Sequence, residues 1–168
     1  MMWSRIEGCF RYSPARLKVA RAIVELGLHV DEDGTIRCGP IEIPPSKMAK
    51  ALGVDRRVVV KTAEFILSEP SLREVFTKIR PAGPSFQAVA KLFGFGVVII
   101  TADPKTVGII AKASTLIANE GISIRQILAE DPELFPQPKL TIVTEREVPS
   151  KLIPKFARIP GVRGVTIY

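Results

Sequence analysis

The sequence predicts an α+β fold in two parts, and three observations carry that prediction. The first is the stretch from Phe95 to Ile124. There an apolar run (Phe95, Val97, Val98, Ile99, Ile100) leads into Asp103-Pro104-Lys105-Thr106-Val107-Gly108, an amphipathic helix and Gly121-Ile122-Ser123-Ile124. A short apolar run has strand length and apolar residues at helical spacing mark a helix, so the order reads as strand, loop, helix and strand. The second is Pro81-Ala82-Gly83-Pro84, which cannot continue a helix and favours an exposed connection. The third is Asp33-Gly34 inside the alternating segment Val30 to Ile43, a dipeptide suited to the φ > 0 of a tight hairpin. Together they divide the chain into a domain over 1–80, a linker with a short helix over 81–93, and a second domain over 94–168.

In chain order, Ser13-Pro14 followed by Leu17, Ala20, Ile23, Val24 and Leu26 predicts a helix, with Ser13 as its cap, Pro14 in its first turn and Gly27 after its end. The hairpin follows, closed by Pro44-Pro45. Helices are then expected over Ser46 to Leu52, Arg56 to Leu67 and Leu72 to Ile79, the first two separated by Gly53-Val54-Asp55. Ser85 caps the short linker helix, which runs through Phe93. Beyond Gly94 the pattern is strand, helix, strand, strand, helix, strand, with later strands at Ile122 to Ala129, Leu140 to Thr144 and Val162 to Ile167, and the second helix at Ser150 to Arg158.

Composition narrows the function classes. Of 168 residues, 46% are hydrophobic and 24% charged, the balance of an ordinary globular chain. No apolar run approaches the roughly 18 residues of a membrane span, and Met1 to Phe10 lacks the form of a signal peptide, so the expectation is a cytoplasmic protein. Cys9 and Cys38 encode neither a zinc site nor a disulfide framework and read as buried small hydrophobes. Asn and His occur once each, at Asn119 and His29, beside 14 prolines, a bias that suits a thermophile. The net charge of +7 favours a polyanionic partner.

No enzyme is expected. His29 stands alone as a surface or packing residue, and no phosphate-binding glycine loop, nucleophile elbow or metal-ligand cluster is present. The acidic run Asp31, Glu32, Asp33 is too short for a calcium loop and reads as a solvated hairpin tip. Neither a cofactor nor a metal is expected.

Met48-Ala49, Leu52-Gly53-Val54, then Asp55-Arg56-Arg57-Val58-Val59 and Lys61 resembles the helix-turn-helix of bacterial and archaeal regulators. In that family a leucine-glycine-valine turn joins a supporting helix to a recognition helix, and Asp55 occupies the capping place. At about 100° per residue, Val58, Val59, Thr62, Ala63, Phe65 and Ile66 share one side of the second helix, and Arg56, Arg57, Val60, Lys61 and Glu64 the other. The resemblance implies duplex DNA as a partner, met by Lys47, Arg56, Arg57, Val60 and Lys61, with Arg suited to phosphates or guanine edges. The alternative is a helical pair used for packing, with these charges solvated.

The order of elements from Gly94 to Tyr168 resembles the ACT domain, a βαββαβ ligand-sensing module of amino-acid metabolism. Gly108-Ile109-Ile110-Ala111, Gly121-Ile122-Ser123-Ile124 and Ile159-Pro160-Gly161-Val162 carry the likeness. Of the family's first-loop pattern, aspartate, variable residue, proline, glycine, only Gly108 is retained at Lys105-Thr106-Val107-Gly108. The resemblance implies a ferredoxin-like sheet, a homodimer formed through these domains, and an amino acid or related metabolite held by Asp103, Lys105, Thr106, Val107, Gly108, Ile109 and Ser123. A helix N-terminus beside Gly108 favours a carboxylate or phosphate. Two readings of the loop remain open: Asp103 accepts from an ammonium group or caps the helix, and Ser123 is a contact or a strand-end hydroxyl. The whole chain thus resembles archaeal predicted regulators that join a helix-turn-helix region to an ACT domain. The implied function is a ligand-responsive transcription regulator, or alternatively a stand-alone regulatory subunit that controls a partner enzyme.

Overall fold

The computed structural model describes residues 2–168, and the backbone divides into two compact units, Met1–Gly83 and Pro84–Tyr168. The architecture is mixed α+β with two antiparallel sheets, one of three strands and one of four.

The first unit holds α1 (Met2–Phe10), α2 (Pro14–Glu25), β1 (His29–Val30), β2 (Ile36–Cys38), β3 (Ile41–Glu42), α3 (Pro45–Leu52), α4 (Arg56–Ser68) and α5 (Pro70–Phe76). The helix α1 was not expected from the sequence. It buries Trp3, Ile6 and Phe10, a helical stripe of apolar residues, and the Phe10 ring meets Phe65 edge-on with centroids 5.3 Å apart. Cys9 falls off that stripe and is exposed, and Cys38 is only half-buried, so the expectation of two buried cysteines is corrected. Ser13 stands at the N-cap of α2 but its side chain makes no capping bond. The expected hairpin gains a third strand, because the chain turns again at Gly39-Pro40 and returns as β3.

Helix α4 is the hub of this unit, touching α2, α3, α5 and β1. Val59, Ala63 and Ile66 lie fully buried beside Val19, Ile23, Leu72 and Phe76. Thr62 is buried among them, and its hydroxyl donates to Val58 O at 2.6 Å, which satisfies an otherwise stranded polar group.

The second unit opens with a 3₁₀ segment, Gln87–Phe93, and continues through β4 (Gly96–Ala102), α6 (Ile109–Ala118), β5 (Ile124–Ala129), β6 (Lys139–Thr144), a 3₁₀ turn at Ser150–Leu152, α7 (Ile153–Ala157) and β7 (Val162–Ile167). The sheet order is β5-β6-β4-β7, and all three pairings are antiparallel. Each helix therefore bridges two strands that run parallel but are not neighbours.

Alternation along the strands sorts side chains between the two faces. Val98, Ile100, Leu140 and Ile142 form the main core with Ala113 and Ile117 of α6 and Leu152, Phe156 and Ile159. On the other face Val97 and Val143 meet Ala90 of the 3₁₀ segment, where Phe93 and Phe95 stack at 5.7 Å. The sequence places the first residues of the second strand at Ile122. In the structure Ile122 is buried ahead of the strand, and pairing begins at Ile124 with a bulge before Gln126.

Candidate functional site

Strand β4 ends at Ala102, and Asp103 turns the chain towards α6. Its Oδ1 accepts from Lys105 N at 3.0 Å, its carbonyl accepts from Thr106 N at 3.0 Å, and its own N–H donates to Gly161 O at 2.8 Å. Arg163 Nη2 lies 3.5 Å from Asp103 Oδ2. The aspartate is thus a turn-forming residue tied to β7, with its carboxylate still half-exposed. Gly108 precedes α6 with φ +87° and makes no side-chain cap, so the helix begins without a side-chain acceptor over its first-turn amides. A Cβ built on Gly108 would meet nothing within 4 Å, which leaves this backbone open to close approach.

The register brings a second segment beside this loop. Ile100 pairs with Leu140 on β6, and Leu140 pairs with Ala129 on β5, so the β5–β6 turn lies at the same end of the sheet as α6's N-terminus. Between them is a cleft of about 550 Å³. Its walls are Ile100, Ala102, Ile109, Ile110, Ala129 and Leu140, and its ionisable groups are Asp103, Glu130 and Lys139. Glu130 Oε2 accepts from Lys139 N at 2.9 Å, and Glu130 N donates to Lys139 O at 3.0 Å.

Of the residues expected to contact a ligand, Asp103, Thr106, Gly108 and Ile109 line this cleft, while Lys105 and Val107 do not. Val107 is 91% exposed. Ser123 lies at the opposite end of β5 from Ala129, where its N–H donates to Glu145 Oε1 at 3.2 Å and its carbonyl accepts from Glu145 N at 3.0 Å. Sequence reasoning missed Glu130, Lys139 and the β5–β6 prolines, which reach the cleft only through strand register, and it missed Arg163, which meets Asp103 across the sheet.

A second candidate surface lies on α4. Gly53 (φ +62°) ends α3, with Val54 N donating to Ala49 O at 3.0 Å and Gly53 N to Lys50 O at 3.4 Å, the paired bonds of a Schellman turn. Asp55 then caps α4, its Oδ1 accepting from Arg57 N at 2.7 Å. This closure leaves Arg56, Arg57, Val60, Lys61 and Glu64 lining one shallow concavity of about 270 Å³. Lys47 is exposed on α3 outside that set.

His29 is buried, with Nε2 3.3 Å from Asp31 Oδ1 and, among the described residues, no partner for Nδ1. Asp31 also accepts from Arg37 Nε at 2.6 Å. At the hairpin tip, the backbone N–H of Thr35 donating to Asp33 holds the Asp33 carboxyl below its ordinary value of 3.8. Among the described residues no helix is long and apolar enough to cross a membrane. Comparison with known proteins yields no match to a protein-family model and no match to a curated protein sequence.

Proposed function

We propose that this chain is a ligand-responsive regulator of transcription, and not an enzyme, in which the cleft beside α6 takes an amino acid or related metabolite and α4 contacts duplex DNA. In this reading the second unit is an ACT-like sensor that pairs with another copy, and α3 and α4 form a helix-turn-helix. The observation that carries the reading is the uncapped first turn of α6 on the wall of the apolar cleft. Unsatisfied amides and the helix dipole there favour a carboxylate, while Asp103 and Glu130 offer acceptors for an ammonium group. An amino acid carries both charges.

For DNA, the support is the pairing of a Schellman-closed α3 with an α4 that presents Arg56, Arg57 and Lys61 outwards. A homodimer would place two such helices at a fixed spacing. Regulation requires a metabolite to bind the DNA-competent state with a different affinity from its alternative, since equal affinities shift nothing. Val60 and Glu64 on the same concavity support a second reading, in which α4 docks a partner enzyme instead.

A salt series separates the two readings. Affinity for duplex DNA should fall linearly on a log–log plot, with a slope of about −0.9 per neutralised phosphate, and Arg57→Ala with Lys61→Ala should reduce that slope by about 2. No retention at low salt, or retention unchanged by both substitutions, removes the basis for DNA binding and leaves the adaptor reading.

A further inference from the structure

We infer that the cleft beside α6 selects α-amino acids whose side chains are uncharged and apolar, an inference that rests on reading this cleft as an amino-acid site. The polar groups are few and are matched to a zwitterionic head. α6's first-turn amides suit the carboxylate, and Asp103 and Glu130 suit the ammonium group. Part of the remaining hydrogen-bonding capacity is already used inside the protein. Asp103 Oδ1 accepts from Lys105 N at 3.0 Å, Arg163 Nη2 stands 3.5 Å from Asp103 Oδ2, and Glu130 Oε2 accepts from Lys139 N at 2.9 Å.

What is left for the ligand's side chain is apolar apart from the Thr106 hydroxyl. Ile100 and Leu140 are buried at the floor, with Ala102 further along β4, Ala129 on β5 and Ile109 and Ile110 on α6. Pro104, Pro132 and Pro138 also line the cleft, and proline has no backbone N–H to donate. Placed against the apolar part of this wall, out of reach of Thr106, a hydroxyl, carboxylate or ammonium would lose water without gaining a partner, a penalty that commonly exceeds tenfold in affinity. A second carboxylate would also meet Asp103 and Glu130, with Lys139 the one basic residue on the lining. A cleft of about 550 Å³ has room for a side chain as large as leucine or phenylalanine.

The test is calorimetry and thermal unfolding of the whole chain with leucine, phenylalanine, serine, glutamate, lysine and the 2-oxo acid of leucine. Leucine or phenylalanine should raise the unfolding midpoint by at least about 10 °C at a hundredfold excess over its Kd. Serine, glutamate, lysine and the oxo acid should bind at least tenfold more weakly. Ile110→Asp places a carboxylate in α6's first turn, where the helix dipole tolerates it, so the variant should stay folded yet lose at least tenfold in affinity for leucine. Binding of serine, glutamate or lysine as tightly as leucine overturns the selectivity and leaves the sensor reading standing. Equal binding of leucine and its oxo acid removes the role of the two carboxylates, and unchanged leucine binding by Ile110→Asp moves the site elsewhere, so either result overturns the inference. No binding by any of these compounds to a folded chain sinks the sensor reading as well.

Discussion

Replacing Gly161 with alanine probes the joint between the turn before β7 and the loop before α6. Gly161 has φ +84°, and a Cβ built on it would stand 2.7 Å from Thr106 Cβ and 2.9 Å from Thr106 Cγ2, closer still to Oγ1. Two costs follow. The left-handed backbone costs a residue with a Cβ about 1–2 kcal/mol. The overlap adds about 1–3 kcal/mol, the usual range for overpacking, because rotating Thr106 about χ1 leaves its Cβ in place and the loop itself must move. The Asp103 N–H to Gly161 O bond of 2.8 Å resists that movement. The sum is about 2–5 kcal/mol, and at about 4–8 °C per kcal/mol for a domain of this size the unfolding midpoint should fall by at least about 8 °C. Gly121→Ala is the control: Gly121 has φ +64° and nothing within 4 Å of its would-be Cβ, so it should lose only about 1–2 kcal/mol. Thr106→Gly removes every atom in the overlap and should recover about 1–3 kcal/mol in the Gly161→Ala background, a coupling that a double-mutant cycle in urea measures directly. If Gly161→Ala costs no more than Gly121→Ala, or if Thr106→Gly has the same effect in both backgrounds, the two turns are not in tight contact and the reasoning fails.

Two further outcomes are expected. Asp55→Ala removes the acceptor for Arg57 N and should destabilise the chain by about 1 kcal/mol in chemical denaturation, whereas Asp55→Asn and Asp55→Ser should retain most of the stability. Glu120 accepts a hydrogen bond from Lys151 Nζ at 2.8 Å, which, with the nearby charges of Lys151, Lys155 and Arg146, holds its carboxyl below the ordinary value of 4.5. A depressed folded pKa contributes stability that is present above about 4.5 and is lost as pH falls through the folded value. Glu120→Gln should therefore be less stable than the wild type at neutral pH and converge with it in acid, and parallel stability curves across that range would contradict the assignment.

The sequence foreshadowed what depends on local chemistry. Gly53 and Asp55 marked the break between α3 and α4 because a left-handed residue and a side-chain cap are both readable from neighbouring positions. Strand positions such as Val98 and Ile100 were legible from a short apolar run bounded by turns. Less was legible where one weak signal stood alone. Trp3, Ile6 and Phe10 hold helical spacing, but Arg5, Glu7 and Gly8 between them hide the stripe in a short segment. Ile41 and Ile43 were legible as part of one alternating segment, but not as a separate return strand, because β3 after the Gly39-Pro40 turn is only Ile41–Glu42. The cleft required pairing information that no single segment holds. Glu130 and Lys139 stand nine positions apart in sequence and far from Gly108, and only the Leu140 register with both Ala129 and Ile100 brings them to one place. Asp103 and Arg163 meet for the same reason, through β4 and β7.

The position of β4 also sets an order of events during synthesis. It is the earliest strand of its sheet to be made, yet it lies between β6 and β7, both made later. Its pairing with β7 spans Val98↔Ile167, so that edge stays open on the nascent chain until residues 162–167 have left the ribosome. Val97, Val98 and Ile100 are fully buried in the finished sheet, and a chain stalled before β7 would hold them on a strand with one open edge, a ready template for aggregation. Folding of this unit is therefore expected to be completed late and all at once, with Val162–Ile167 as the closing piece.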